Sequence, residues 1–223
     1  MTTVSQPTVE RKRNRAARED ALIAAASKLF ASRGYEIATT RDIAAAAGCA
    51  EGLIHRYFGG KEGLLLALIK RQVSQEVVDL QTLPLASTMA DEVVRLVEWE
   101  VEHTWHDREF FKVVIPRALL DPALGHLIDG IGPTQRARAI TERLRNFTQC
   151  RSLPAQELEA LAHFISITSF MFGFMRPAVL HQDREKAKKM AVMTAQMMVR
   201  NFEKISTPDD SQPRQQKPAL LFT

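Results

Sequence analysis

Residues Thr39–Lys61 read TTRDIAAAAGCAEGLIHRYFGGK, and this stretch decides the fold. Its pattern predicts a helix, a tight turn and a second short helix, with a third helix starting at Lys61. Thr39 or Thr40 is placed to cap the first helix, because a hydroxyl there accepts from the free N–H groups of the opening turn. Ile43, Ala44 and Ala47 make its apolar stripe. Gly48 follows the last periodic residue, where a left-handed C′ conformation costs glycine least. The second helix is expected over Ala50 to Phe58, with Ile54, Tyr57 and Phe58 as inward anchors. Two short helices joined by a glycine-containing turn form a helix-turn-helix, whose second helix fits the DNA major groove.

The wider sequence LFASRGYEIATTRDIAAAAGCAEGLIHRYFGGKEGLLLALI closely resembles the N-terminal domain of the TetR family of one-component transcriptional regulators. The resemblance runs from about Ala17 to Ile69. It rests on Phe30, Gly34-Tyr35, Thr39-Thr40, Ile43-Ala44, Ala47-Gly48, Gly52, Ile54, Tyr57-Phe58 and Lys61-Glu62 at fixed spacing. It implies an all-α protein: a three-helix DNA-binding head on a larger helical domain. In many members that domain binds a small effector, and the last two long helices dimerise. The resemblance also implies that Tyr35 packs in the head core and that Lys61 clamps a phosphate. A lysine in the first turn of a helix suits that role, because the free N–H groups and the dipole already favour an anion.

The DNA-facing set is Thr39, Thr40, Ala50, Glu51, Gly52, Leu53, His55, Arg56, Tyr57 and Lys61. Several of these depart from the family pattern. Ala50 stands where a capping hydroxyl is usual, at a cost of about 1 kcal/mol relative to Ser. Glu51 partly offsets this through the helix dipole. It cannot bind a phosphate, but its carboxylate suits a cytosine amino group. Gly52 lets the backbone approach DNA closely. Leu53 is read as outward-facing, toward a thymine methyl, and Arg56 as reaching a guanine edge or a phosphate. His55 replaces a frequent tyrosine, and its charge would make a phosphate contact pH-sensitive.

Charge supports a polyanionic partner for this segment alone. Residues 1–70 carry 11 Lys/Arg and 7 Asp/Glu, and the remainder carries 19 of each. Residues 1–13 are expected to be a disordered basic arm, with Arg11, Lys12 and Arg13 suited to phosphates or the minor groove. The first helix is expected from Asn14 to Arg33, with Leu22, Ile23, Ala26, Leu29 and Phe30 on its apolar face. The head is assigned to residues 14–62, a helical ligand-binding and dimerisation domain to 63–205, and a disordered tail to 206–223. Two cysteines in 223 residues make no disulfide framework, which fits a reducing, cytoplasmic setting. No apolar run approaches the roughly 18 residues of a spanning helix, so no membrane association is expected.

Beyond Arg71 the helical segments are broken at Leu83-Pro84, Asp107, Asp121-Pro122, Gly130–Pro133 and Ser152–Pro154. Trp99, His103, Trp105, Phe110, Phe111, Phe164, Phe170, Met171 and Met175 are the candidate lining of an apolar effector pocket, against the plainer reading of ordinary core. Two long helices close the chain, from Pro154 to Leu180 and from Arg184 to Ile205. Their apolar positions Leu158, Leu161, Ile165, Phe172, Met190, Thr194 and Met197 are the candidate dimer interface, pairing as a four-helix bundle. Gly173 permits a close helix approach there, and Pro177 ends or kinks its helix. His103 and His106 share a helical face, but a two-histidine pair lacks a third ligand, so neither metal nor cofactor is expected. There is no nucleophile elbow, P-loop, dinucleotide fingerprint or zinc motif. Catalysis by His163 with Ser166 or Ser169 is remote, so the chain is not expected to be an enzyme.

The pattern therefore predicts a homodimeric regulator, expected to be a repressor, on a pseudo-palindromic double-stranded operator, released by a small, largely apolar effector. The alternative is a helical small-molecule-binding protein without specific operator binding, which Ala50, Glu51 and His55 keep open.

Overall fold

A computed structural model describes residues 7–151 and 153–206 of the chain. The basic residues Arg11 and Lys12 fall in this range, but their side chains lie outside what is described, as does the tail from residue 207. Among the described residues eleven α-helices occur in order: α1 Pro7–Arg33, α2 Thr40–Ala46, α3 Gly52–Phe58, α4 Lys61–Thr82, α5 Met89–His106, α6 Arg108–Leu120, α7 Pro122–Ile131, α8 Pro133–Leu144, α9 Thr148–Arg151, α10 Ala155–Phe170 and α11 Arg184–Ser206. A π-helical segment, Met171–Val179, continues α10 without a break. No strand occurs among the described residues.

Helix α1 starts at Pro7, earlier than the expected Asn14. A proline in the first turn loses no hydrogen bond, and its fixed φ suits a helix start. The segment read as a disordered arm is therefore helical from Pro7. Leu22, Ala26 and Phe30 of α1 pack on Ile43 of α2, Ile54 of α3, and Leu64, Leu65 and Ile69 of α4, all fully or almost fully buried. This head core continues into Val113 and Val114 of α6 and Leu124 of α7. The expected boundary between Glu62 and Gly63 falls inside the first turn of α4.

A second core joins α5, α8, α10 and α11 through Val93, Leu96, Val97, Val101, Ile140, Leu144, Ala191 and Ala195. Leu158, Leu161 and Ile165 lie in this core, at 1%, 8% and 0% exposure. They face inward and are not available as an outer dimer face, because α10 is apolar on two sides and turns this one toward its own chain. The outer apolar stripe belongs instead to Phe164, Ile167 and Met171, with Met190, Met193 and Met197 exposed on α11.

Pro177 does not end its helix, which runs on to Val179 in a π-helical turn. In an α-helix its ring would clash with the carbonyl four residues back, and the wider π turn relieves this. Beyond the proline, the Leu180 N–H reaches back five residues to the Met175 carbonyl at 2.9 Å. At Gly173 the segment meets α5 so closely that an added Cβ would stand 2.6 Å from the Val101 carbonyl oxygen. Read as one helix, Ala155–Val179 is long and apolar enough to cross a membrane by length and composition, with a mean hydropathy of 1.4. That corrects the expectation that no such segment exists. Here the segment packs against α5, α8 and α11.

One charged brace holds the second core to the end of α4. Buried Arg143 pairs with fully buried Glu92 and donates to the carbonyls of Leu80, Leu83 and Pro84 at 2.8, 2.9 and 2.9 Å. The guanidinium thus satisfies the orphan carbonyls at a helix C-terminus.

Candidate nucleic-acid interface and effector cavity

Helix α2 is fixed at both ends. The Thr39 hydroxyl oxygen accepts from the Asp42 N–H at 3.1 Å, and the Asp42 carboxylate accepts from the Thr39 N–H at 3.4 Å and its hydroxyl at 2.8 Å. This is a capping box, and its hydrogen bonds hold the Asp42 carboxyl below its ordinary range. At the other end Gly48 takes φ +62°, the Cys49 N–H reaches the Ala44 carbonyl at 2.9 Å, and the Gly48 N–H reaches Ala45 at 3.1 Å. That paired closure is a Schellman motif, which sets the angle between α2 and α3.

Helix α3 starts at Gly52 with no side-chain cap, as the alanine at position 50 implies. Ala50, Glu51, Gly52, His55 and Arg56 are exposed. Glu51 has a partner within the head: the Thr40 hydroxyl donates to its carboxylate at 2.6 Å, tying α2 to α3 across the turn. Leu53, expected to face outward, is half-buried against the head core. Tyr57 is also half-buried, with the Arg15 guanidinium 5.0 Å from its ring centre. A salt bridge of 2.7 Å to Glu19, one helical turn on, steadies that arginine.

Lys61 is more enclosed than a solvated lysine. Its ammonium donates to the Glu36 carbonyl at 3.2 Å and lies 4.4 Å from the centre of the Tyr35 ring. Burial pushes its pKa down, and the neighbouring Glu36 carboxylate pulls it back up. Arg117 of α6 approaches the same group: its guanidinium is 4.9 Å from the Tyr35 ring and donates to the Glu36 carboxylate at 2.8 Å. Tyr35, packed on Phe30 at 5.0 Å, is thus shared by the first turn of α4 and by α6.

A cavity of about 270 Å³ opens between α4, α6, α7, α8 and α10. Its apolar walls are Ile69, Val73, Phe110, Phe111, Val114, Ile115, Ile128, Ile167 and Phe170, with Gly132 and Pro133 at one edge. The polar groups are Arg136, His163 and Ser166. Phe111, Phe170 and Phe174 form an aromatic cluster with centroids 5.3–5.4 Å apart.

Of the expected pocket residues, Phe110, Phe111 and Phe170 line this cavity, and the others lie elsewhere. Trp99 stacks on His103 at 4.6 Å. Trp105 carries Arg108 and Arg184 against its ring. Phe164 and Met171 are exposed on the outer stripe, and Met175 is half-buried outside the cavity. Sequence reasoning missed Ile69 and Val73, although the apolar stripe of α4 continues through them. It also missed Ile128 and Arg136, which only the tertiary fold brings here.

Residues 22–68 match the family described as bacterial regulatory proteins, tetR family. The N-terminal head thus belongs to the TetR family. TetR-like folds recur among solved structures. Salmonella enterica GusR matches with a TM-score of 0.66 at 14% identity, over 91% of this chain and 100% of its own. A Mesorhizobium loti TetR-family transcriptional regulator matches with a TM-score of 0.66 at 19% identity, over 84% of this chain and 97% of its own. FadR of Bacillus subtilis, solved in complex with stearoyl-CoA, matches with a TM-score of 0.57 at 19% identity, over 78% of this chain and 96% of its own. At these identities the likeness is one of fold. No curated protein sequence matches the chain.

Proposed function

We propose that this TetR-family chain is a cytoplasmic, ligand-responsive repressor. It binds a pseudo-palindromic operator as a homodimer and is released by a small, largely apolar effector. One observation carries the DNA-binding part. Helix α3 anchors Ile54 in the head core and leaves Glu51, Gly52, His55 and Arg56 on one exposed face. That is the arrangement by which a recognition helix reads a major groove. The exposed stripe of Phe164, Ile167, Met171, Met190, Met193 and Met197 supports dimerisation through α10 and α11. Dimer symmetry would then dictate the palindrome.

The effector reading rests on the cavity: apolar walls, with Arg136, His163 and Ser166 to orient a polar end. It is supported by two neighbours of similar fold, the stearoyl-CoA complex of Bacillus subtilis FadR and a Clostridium perfringens protein named as a fatty acid metabolism regulator. The action is binding, not catalysis. An effector that fits one arrangement of the heads better than another shifts DNA affinity by that difference.

The test is a fluorescence-anisotropy titration against DNA from upstream of the protein's own gene, at two salt concentrations, with a scrambled control. Tight, salt-sensitive binding to one palindromic segment supports the proposal. Equal weak binding to both DNAs, together with no enriched sequence in a selection from random DNA, sinks it in favour of a ligand-binding protein without an operator.

A further inference from the structure

Behind the cavity wall, α4, α5 and α8 enclose a cluster of charge that the DNA-binding reading does not use. Glu76, Glu100 and Asp107 are 3%, 2% and 8% exposed. Arg136 faces two of them, pairing with Glu76 and lying 3.7 Å from Glu100. Even with Glu100 holding its proton, Glu76 and Asp107 share one guanidinium, which leaves a deficit of positive charge. Burying an uncompensated charge costs several kcal/mol, so such a group is normally paired or bound to a metal.

His103, in the last turn of α5, and Asp107, which follows that helix, bring Nε2 and Oδ2 to 3.3 Å. Metal bonds of about 2.0–2.1 Å at the tetrahedral angle separate neighbouring donors by about 3.3–3.4 Å. Despite that distance, His103 Nε2 is buried and makes no hydrogen bond. Arg136 binds Oε2 of Glu76, while Oε1 is buried with no hydrogen-bond partner. One ligand atom from each of Glu76, His103 and Asp107 falls within 4.8 Å of the others.

The surroundings orient these donors. Gln72 donates to Asp107 Oδ2 at 2.8 Å, and the Trp99 ring stacks on the His103 imidazole. Outer partners of this kind hold ligands in place around a metal.

We propose that Glu76, His103 and Asp107 bind one divalent transition-metal ion, cross-linking α4 to α5. The single imidazole favours Zn2+, Mn2+ or their first-row neighbours over Ca2+ and Mg2+, and the lack of a thiolate disfavours Cu+. Three protein donors leave one position to solvent. The His103 side chain is 19% exposed, so its ring borders solvent although Nε2 is buried. The spacing of His103 and His106 invites a two-histidine chelate, but the fold supplies the partners from Asp107 and from α4 instead. The inference does not rest on DNA binding.

The test uses the untagged full chain, stripped with EDTA and dialysed. Calorimetric titration with Zn2+ should show one saturable site per chain, with Mg2+ giving no heat. Glu76→Gln and His103→Gln should each weaken Zn2+ binding at least tenfold with circular dichroism unchanged, while His106→Gln leaves it as in the wild type. A measurement that needs no variant accompanies these. One equivalent of Zn2+ should perturb the His103 ring resonances in the wild-type NMR spectrum. No saturable uptake, unchanged affinity in the folded variants, or perturbation confined to other histidines overturns the proposal.

Discussion

Gly63→Ala should misplace the recognition helix. Gly63 is the third residue of α4, and a Cβ built there would stand 1.7 Å from the Phe58 carbonyl oxygen and 2.8 Å from its carbonyl carbon. Phe58 is the last residue of α3. The clash is with backbone, so no side-chain rotamer relieves it. Real Cβ contacts essentially never fall below 3.0 Å, so α3 and α4 must part by more than an ångström. Overpacking of this kind costs about 1–3 kcal/mol of stability. An ordinary exposed Gly→Ala change in a helix instead gains about 0.5–1 kcal/mol. Gly52, in the first turn of α3, has nothing within 4 Å of its added Cβ and supplies that control.

The assay is urea denaturation of wild type, Gly63→Ala and Gly52→Ala, followed by DNA titration of each. Gly63→Ala should lower the midpoint and weaken operator binding at concentrations where the chain is folded. Gly52→Ala should hold or raise the midpoint, and lose DNA affinity only through the methyl placed on the DNA face. A Gly63→Ala protein as stable as Gly52→Ala would refute the packing argument. A destabilised Gly63→Ala protein with undiminished operator affinity would refute the link between that contact and the recognition helix.

Lys61→Ala should weaken binding across all DNA sequences and lower the salt slope by about 1 per subunit; an unchanged slope in an anisotropy titration refutes a phosphate clamp. Glu51→Ala should relax base preference in each half-site by ~1–3 kcal/mol if the carboxylate reads a base. A selection that returns the wild-type operator would show that its bond to Thr40 is its whole role. Charges at Ile167 and Met197, 65% and 60% exposed, should yield monomers; a sedimentation profile that stays dimeric places the interface elsewhere. Burial pushes the Glu100 pKa from 4.5 to about 7. Between those values the folded chain binds the extra proton, so metal-free protein should lose stability as pH rises, by up to about 3 kcal/mol. Glu100→Gln should remove that decline between pH 5 and 8 in urea midpoints, and parallel curves for wild type and variant would contradict it.

The head was legible because its signals are local. Gly34, Gly48, Gly59 and Gly60 all take positive φ, and each punctuates the sequence where the chain turns. The Thr39–Asp42 box and the uncapped start of α3 are equally short-range. The cavity and the outer stripe were not legible, for one physical reason. A helix with two apolar faces, such as α10, gives the same period whichever face meets its own chain. Leu158 and Ile165 therefore read like Phe164 and Ile167, and only the packing of α5 and α8 separates them. The arm was misjudged through composition: polar and basic residues after Pro7 suit an exposed helix as well as a coil. His103 and Asp107 stood in plain view, but Glu76 is 27 positions earlier, on a helix whose partner the sequence does not specify.

Helix α4 connects these pieces. It carries Lys61 and Gly63 at the head, Ile69 and Val73 on the cavity wall, Glu76 in the charge cluster, and Leu80 under the Arg143 brace. Its 22 residues span about 33 Å at ~1.5 Å per residue. The Arg143 brace fixes the far end to α8, so a filled cavity would tilt α4 about that end more readily than slide it. A tilt of about 5° displaces the Lys61 end by ~3 Å over that length. Hydrogen bonds to bases and phosphates tolerate a few tenths of an ångström. A movement too small to disturb the second core therefore suffices to break the register of the head on DNA. Tyr35 and Glu36 add a second restraint, because Arg117 of α6 and Lys61 of α4 both hold them, and α6 supplies four walls of the same cavity. An effector pressing on Phe110 and Val73 together would act on both supports of the head at once.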